Sequence, residues 1–573
     1  MKIQTRHYTP DDCQFSPAMP AVLQRVYAAR GIRSEQQLPD KLSELLPPNM
    51  KGMDAAVALL TQAVTDQRKV LILGDFDADG ATSSALAVLA LKAMGLQTVD
   101  YLVPNRFDYG YGLTPEIAAV AKTFDPWLIV TVDNGISSIE GASAVKAAGI
   151  RLLITDHHLP ADESPDADAI VNPNQRGCEF PSKNLAGVGV IFYVLSCLRT
   201  ALQKADWFSR MGISAPAMGE FLDIVALGTV ADVVPLDANN RLLVAQGLAR
   251  IRAGRCRPGI IALLQVAGRN YQRVAAQDMG FFVGPRLNAA GRLDDMSLGI
   301  RCLLAPDYEE ALGLAQQLDD FNRDRRQIEA GMQKEAEAFL ARMQDDDHNP
   351  WGVSLFHEQW HQGVIGILAS RVKDKLHRPV ITFADAGDGL IKGSGRSIQG
   401  LHLRDALDRV SVKNPGLIKK FGGHAMAAGL TIARAEFERF ANAFDQVCRQ
   451  LLTEADLQAV IFTDGELLPT ELNLDTAFLL ADAGPFGQQF PEPQFEGEFI
   501  LRQARIVGNK HLKMTVSPAQ TPTLQLDAIA FNVDVAVWPD ASVERVRLVY
   551  KLDVNEFRGQ QSAQLLVTYL CAS

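Results

Sequence analysis

The chain has 573 residues, 47% hydrophobic and 21% charged, which is the balance of a soluble globular protein with room for roughly three or four domains. The start MKIQTRHYTP lacks a signal-peptide core, and no run of about 18 apolar residues offers a membrane span. Seven scattered cysteines without C-x-x-C argue against a disulfide framework or a zinc ribbon, so a reducing cytoplasm is expected, while a net charge of −11 leaves local basic stripes possible.

Residues 1–50 read as an N-terminal segment ending at the LLPPNM turn. Within residues 51–300, strand-like runs KVLILG, TVDYLVP, LIVTVD and RLLITD alternate with helical runs such as PEIAAVAKTF and SIEGASAVKAAG, the pattern of a parallel α/β sheet. A more helical stretch with FLDIVALGTVADVVPL follows. Residues 301–349 hold a long charged helix, read as a solvated connector. A second α/β lobe over 350–455 opens with strand GVSLF, helix GVIGILASRVKDKL and strand PVITF. Short alternating runs over 456–573 suggest a small β-barrel. The expected fold is therefore α/β, with two α/β lobes joined by a long helix around a cleft and a C-terminal β-barrel.

The stretch GDFDADG places Asp75, Asp77 and Asp79 just after an apolar strand. It imitates an EF-hand for six positions, but position 12 is Leu86, and a strand stands where the incoming helix should be. Helix capping needs one aspartate, and three adjacent carboxylates repel unless cations or protons offset them. Asp133 and Asn134 in LIVTVDNG, Asp156, His157 and His158 in LLITDHH, and Asp232 in IVALGTVAD also end apolar runs. Loops at the carboxyl ends of parallel strands share one edge, so the four motifs are expected at one crevice. Oxygen donors with one or two imidazoles and no thiolate suit Mg²⁺ or Mn²⁺. So many carboxylates suit two ions, with Asp133 the candidate bridge. No Walker A loop, dinucleotide fingerprint or G-x-S-x-G elbow competes.

In order, GDFDADG, VDNG, DHH and GTVADVVPL resemble the motifs of the DHH phosphoesterase superfamily. DYLVPNRFDYGYGL, LAGVGV and GPRLNAAGRLDD resemble its RecJ-type branch, the bacterial single-strand-specific exonucleases. The resemblance implies metal ligands at Asp77, Asp79, Asp133, His157 and Asp232, with Asp75 or water able to substitute for a histidine that many relatives carry where this chain has Leu73. It implies a phosphate contact for His158, so Asp77, Asp133 and His158 are the expected catalytic residues. LIKGSGRSIQG and FGGHAMAAGL resemble a DHHA1 domain, placing Lys392, Arg396, Ser397 and His424 at the substrate, with His361 and Arg371 of HQGVIGILASR near the cleft. GPRLNAAGR offers Arg286, Asn288 and Arg292 for the same purpose.

In the C-terminal region, Arg502, Arg505, Lys510, His511 and Lys513 alternate with apolar residues, a pattern suited to strand binding through phosphates, with Phe499 or Phe531 for stacking. The resemblance makes this an OB-fold. It implies two-ion hydrolysis of single-stranded DNA in the 5′-to-3′ direction, a role in repair and recombination, and contact with single-strand-binding protein and a helicase. A monomer without membrane association is expected. Two alternatives stay open: a phosphodiesterase for short oligonucleotides or cyclic dinucleotides, and an inactive single-strand-binding replication scaffold.

Overall fold

Strand β1 (Val70–Gly74) is buried along its whole length. It runs into helix α1 (Ala78–Ala93) through the acidic turn. Strand β2 (Val99–Leu102), helix α2 (Pro115–Lys122), strand β3 (Leu128–Val132), helix α3 (Ile139–Ala147) and strands β4 (Arg151–Thr155) and β5 (Ala169–Val171) complete the alternation. All pairings are parallel, in the order β2-β1-β3-β4-β5. Sheets covered on both faces read as continuous apolar runs, which is why LIL, LIV and LLI are strands here. The order reverses between β1 and β3, the switch point at which open α/β sheets bind ligands. The computed structural model describes residues 2–104, 112–345 and 350–573. The NRFDYGY stretch and the residues that follow the connector helix, 105–111 and 346–349, lie outside the described residues.

Helix α4 (Gly187–Lys204) packs on β3, β4 and α1, and helices α5 (Leu222–Ala231) and α6 (Gly284–Leu293) pack on α1 and on each other. The fourth motif therefore arrives on a helix: IVALGTVA is α5, buried on nearly every side, and Asp232 is its C-cap. A helix sunk in the core has no polar stripe and resembles a buried strand in periodicity. Helix α7 (Tyr308–Asp345) follows; Ala311, Leu314, Ala315 and Leu318 of its first turns join the catalytic core.

Residues 320–461 form their own compact unit. It contains the rest of α7, strand β6 (Val353–Phe356), helix α8 (Ile365–Leu376), strands β7 (Val380–Gly387) and β8 (Leu390–Arg396), helix α9 (Leu403–Lys413), strands β9 (Ile418–Gly423) and β10 (Ala427–Ala433), and helix α10 (Phe437–Leu451). The sheet runs β9-β10-β8-β7-β6, antiparallel except for β6 beside β7.

The last five strands, β11 (Phe495–Val507), β12 (His511–Pro518), β13 (Leu526–Ala530), β14 (Arg545–Phe557) and β15 (Gln560–Ala572), close into a barrel. The order β11-β12-β13-β15-β14, with β13 and β15 parallel, is OB-fold topology. Its interior, including Phe495, Phe499 and Tyr550, is continuous with the core of the catalytic unit. The expected α/β lobes, long helix and C-terminal barrel are each found, and no helix among the described residues is long and apolar enough to cross a membrane.

Candidate active site

The acidic turn after β1 is held from three directions. Asp77 caps α1, its Oδ1 accepting the N–H groups of Asp79 at 2.9 Å and Gly80 at 3.0 Å. Capping thus engages one oxygen of one aspartate and leaves the remaining carboxylates for other work. Asp79 accepts Gly187 N–H at 2.6 Å and Val188 N–H at 2.9 Å, so the first turn of α4 orients both of its oxygens. Asn288 on α6 accepts Ala78 N–H at 2.8 Å. That contact pins the metal loop from behind, so Asn288 supports the site through the backbone.

Asp133 follows β3 with φ 62°, a left-handed conformation unusual for a side-chain-bearing residue and a mark of local strain at functional sites. Asp75, Asp79 and Asp133 are 5%, 1% and 1% exposed. His157 Nε2 lies 3.1 Å from Asp133 Oδ1 and 3.4 Å from Asp232 Oδ2. Three sets of donor atoms each fall within a 4.8 Å span: Asp133, His157 and His158; Asp79, His157 and Asp232; Asp75, Asp77 and Asp133. Asp133 belongs to two of them, as a bridging carboxylate must.

The electrostatics fit cations. Burial, then the neighbouring Asp79, Asp77, Asp232 and Asp75, pushes the Asp133 carboxyl well above the ordinary range. Burial followed by Asp79, Asp77 and Asp75 does the same to Asp232. Burial and then Asp77 raise Asp75, and the same two causes raise Asp79 to about 7. Asp133 Oδ1 and Asp232 Oδ2 are buried and accept no hydrogen bond among the described residues. Carboxylates crowded together in this way require protons or metal ions. The donor set and its orphaned oxygens therefore suit two hard divalent cations, and Leu73, packed in the apolar cluster with Ile117 and Val145, supplies no donor.

Asp156 works behind this layer, a role that its place in LLITDHH does not announce. Its Oδ1 accepts His157 N–H at 2.7 Å and His158 N–H at 3.1 Å and meets His158 Nδ1 at 2.7 Å, while Oδ2 accepts Ile136 N–H at 2.9 Å. Burial raises its carboxyl, but the His158 hydrogen bond and the charges of both imidazoles outweigh that and hold it low. Burial likewise opposes charge on His158, yet the Asp156 hydrogen bond and the Asp156, Asp75 and Asp77 carboxylates raise it to about 9. The 2.7 Å contact with Asp156 favours the protonated imidazole, which is suited to meet an anionic substrate oxygen.

The expected basic contacts divide. Arg286 is buried, donating to Phe282 O at 2.7 Å and pairing with Asp319 at 2.7 Å, so it is a structural ion pair rather than a phosphate contact. Arg292 ends α6 half-buried. In the second unit Arg371 pairs with Glu329 at 2.9 Å, and Ser397 is buried, donating to Leu401 O at 2.8 Å, which removes its hydroxyl from a substrate role. Lys392 and His424 are exposed. Arg396 is half-buried beside Ser394, which its NH1 reaches at 3.2 Å; among the described residues no carboxylate pairs with it, and burial lowers its pKa. His361 Nδ1 accepts Gly363 N–H at 3.1 Å. His357 and His361 spell H-E-x-x-H with Glu358, but the segment is a turn before α8, so the two imidazoles do not share the helix face a zinc site needs.

On the barrel, Arg505 and Lys510 are exposed. Arg502 is tied to Ser517 at 3.2 Å and to Pro522 O at 3.0 Å, and Lys513 pairs with Asp527 at 3.0 Å. Phe499, expected to be available for stacking, is 2% exposed and packs edge-on against Tyr550 because it shares the inward parity of Phe495. Phe531 is 52% exposed, with its ring 4.9 Å from that of His511.

Comparison with known proteins adds three family models: the DHH family, N-terminal domain, over residues 69–229; the DHHA1 domain over 348–450; and the RecJ OB domain over 463–569. The single-stranded-DNA-specific exonuclease RecJ of Dickeya dadantii is 54% identical, covering 99% of both chains. That of Escherichia coli is 53% identical, covering 99% of this chain and 98% of its own. The crystal structure of RecJ from Thermus thermophilus in complex with Mn²⁺ superposes with a TM-score of 0.78 at 27% identity, over 99% of this chain and 80% of that one.

Proposed function

This chain belongs to the RecJ family of single-stranded-DNA-specific exonucleases, and from that premise we propose that it hydrolyses single-stranded DNA inward from the 5′ end, releasing nucleotides. The observation that carries the reading is the convergence of Asp75, Asp77, Asp79, Asp133, His157 and Asp232 in donor sets that share Asp133 or His157. These six residues would hold two Mg²⁺ or Mn²⁺ ions. When bound, such a pair activates water and neutralises charge at the phosphoryl group.

The chain's own residues do the rest. Asp79, fixed by the α4 amides, and Asp77, fixed by α1, keep the donor geometry rigid before substrate arrives. His158, charged through Asp156, offers its imidazolium to a non-bridging oxygen of the scissile phosphate. Hydrolysis forms a bond from water oxygen to phosphorus and breaks the bond to the 3′-oxygen, which leaves with a proton. Arg396 and Lys392 in the second unit, and Arg505 and Lys510 on the barrel, are the cations suited to meet backbone phosphates, and exposed His424 offers an imidazole N–H beside them. Domain limits at 51–300, 350–455 and 456–573, a cytoplasmic monomer, action in repair and recombination, and contacts with single-strand-binding protein and a helicase belong to the same reading.

Asp133→Ala tests it. Mn²⁺-dependent degradation of a 5′-labelled single strand should fall at least about a thousandfold, and survival of that activity overturns the two-ion assignment. Faster turnover of a dinucleotide than of the long strand would move the assignment to the small-substrate phosphodiesterases.

A further inference from the structure

We propose that Phe281 is a base-stacking contact for the substrate strand at the rim of the metal centre, with Val233 extending the same apolar ledge. The inference rests on the single-strand reading above and adds a residue to it.

Among the described residues of 51–300, four large apolar side chains are exposed: Leu159, Met211, Val233 and Phe281. Two of them adjoin residues of the acidic centre in the chain, and the third lies on a turn packed against the helix that ends in Asp232. Leu159, 61% exposed, follows His158; Val233, 62% exposed, follows Asp232. Phe281, 70% exposed, lies on the π-turn Met279–Val283 that packs on the end of α5. That packing is close: a Cβ on Gly280 would lie 3.3 Å from Val230 Cγ1, and one on Gly284 3.1 Å from Ala231 Cβ. Exposed apolar surface concentrated at one crevice marks a binding site rather than random leftover surface.

The backbone at both residues departs from the conformation that would hide them. Val233 takes φ 61° just past the helix C-cap, where glycine is usual and a β-branched residue is strained. A π-turn is a rare interruption frequent at functional sites. Neighbouring Phe282 is anchored: Arg269 stacks over its ring at 4.7 Å, and Arg286, itself locked to Asp319, grips its carbonyl. Phe281 is thus carried outward on a turn pinned from below. A rigid exposed aromatic loses little entropy on binding. A nucleobase offers a π-face whatever its identity, so stacking would grip a single strand without reading sequence, whereas duplex bases are already stacked on one another.

The test combines variants with base deletion. Binding of a fluorescein-labelled oligothymidylate in EDTA, by anisotropy, and Mn²⁺-dependent kcat/KM are measured for the wild type, Phe281→Ala and Phe281→Trp. Phe281→Ala should weaken binding and lower kcat/KM roughly tenfold with unchanged melting temperature, and Phe281→Trp should restore both. Strands carrying abasic residues at successive positions from the 5′ end should lose the same factor at one position with the wild type and nothing further there with Phe281→Ala. Equal loss in both proteins, or no loss on truncation, overturns the stacking contact; a lost partner interaction with intact strand binding would reassign the ledge to protein docking. Failure of the wild type to degrade the unmodified strand would instead refute the exonuclease reading.

Discussion

Gly187 is the residue whose replacement most directly tests how the centre is built. It opens α4, and a Cβ there would sit 2.5 Å from Asp133 Cβ and 2.7 Å from Asp133 Oδ1, where ordinary van der Waals contact begins near 3.4 Å. Gly187→Ala must therefore open the helix-to-loop distance by about 0.9 Å. The Gly187 N–H bond to Asp79, now 2.6 Å, and the Val188 bond at 2.9 Å are both strained by a shift of that size. A hydrogen bond to a charged group contributes about 1.5–3 kcal/mol, and an ångström of misplacement in an active site costs on the order of a hundredfold in rate. Mn²⁺-dependent kcat/KM on a 5′-labelled single strand should drop about a hundredfold, with weaker Mn²⁺ binding by calorimetry. Gly189→Ala is the internal control. Its Cβ meets the flexible end of Leu185 at 3.0 Å, so the helix should accept it with activity retained. Wild-type Mn²⁺ affinity and rate in Gly187→Ala would refute the cradle argument outright.

Four further outcomes rest on the same geometry. In EDTA the melting temperature should fall as pH rises from about 4 to about 7, because the folded chain keeps a proton on Asp79 after the unfolded chain has lost it, and saturating Mn²⁺ should flatten that slope in calorimetry. Asp156→Asn should leave Mn²⁺ binding near normal yet lower kcat, since His158 loses the partner that keeps it charged; unchanged kcat up to pH 8 would count against it. Arg286→Ala should destabilise the fold by about 3 kcal/mol in urea, because it breaks a buried ion pair with Asp319 and removes a donor to Phe282 O, more than any exposed arginine does. Arg396→Ala should show the opposite profile, with a stable fold and a raised KM for single strands in steady-state assays, because no carboxylate among the described residues depends on it.

What could be read from the chain and what could not differ for a physical reason. Buried parallel strands are apolar throughout, and topology delivers every strand end to one edge, so LILGD, IVTVD and LLITD announce their carboxylates one after another. The periodicity of β11 also carried the inward fate of Phe499, since Phe495 and Phe499 share parity opposite Glu496 and Glu498. Cations give no such signal. Arg286, Arg371 and Lys513 looked as available to phosphate as Arg396 and Arg505, but their carboxylate partners Asp319, Glu329 and Asp527 lie 33, 42 and 14 residues away and meet them only in the folded chain. Glycines are silent in a similar way: Gly187 and Gly228 matter because a Cβ would strike Asp133 in one case and come within 3.0 Å of Asp79 Oδ1 in the other, contacts between separate elements. The acidic ligands of a metal centre must all point at one place, and for those that follow β1 and β3 the sheet enforces that locally, with Asp232 added from the end of α5. Whether a base meets the substrate depends on which acids it fails to meet, and that is settled only by packing at long range.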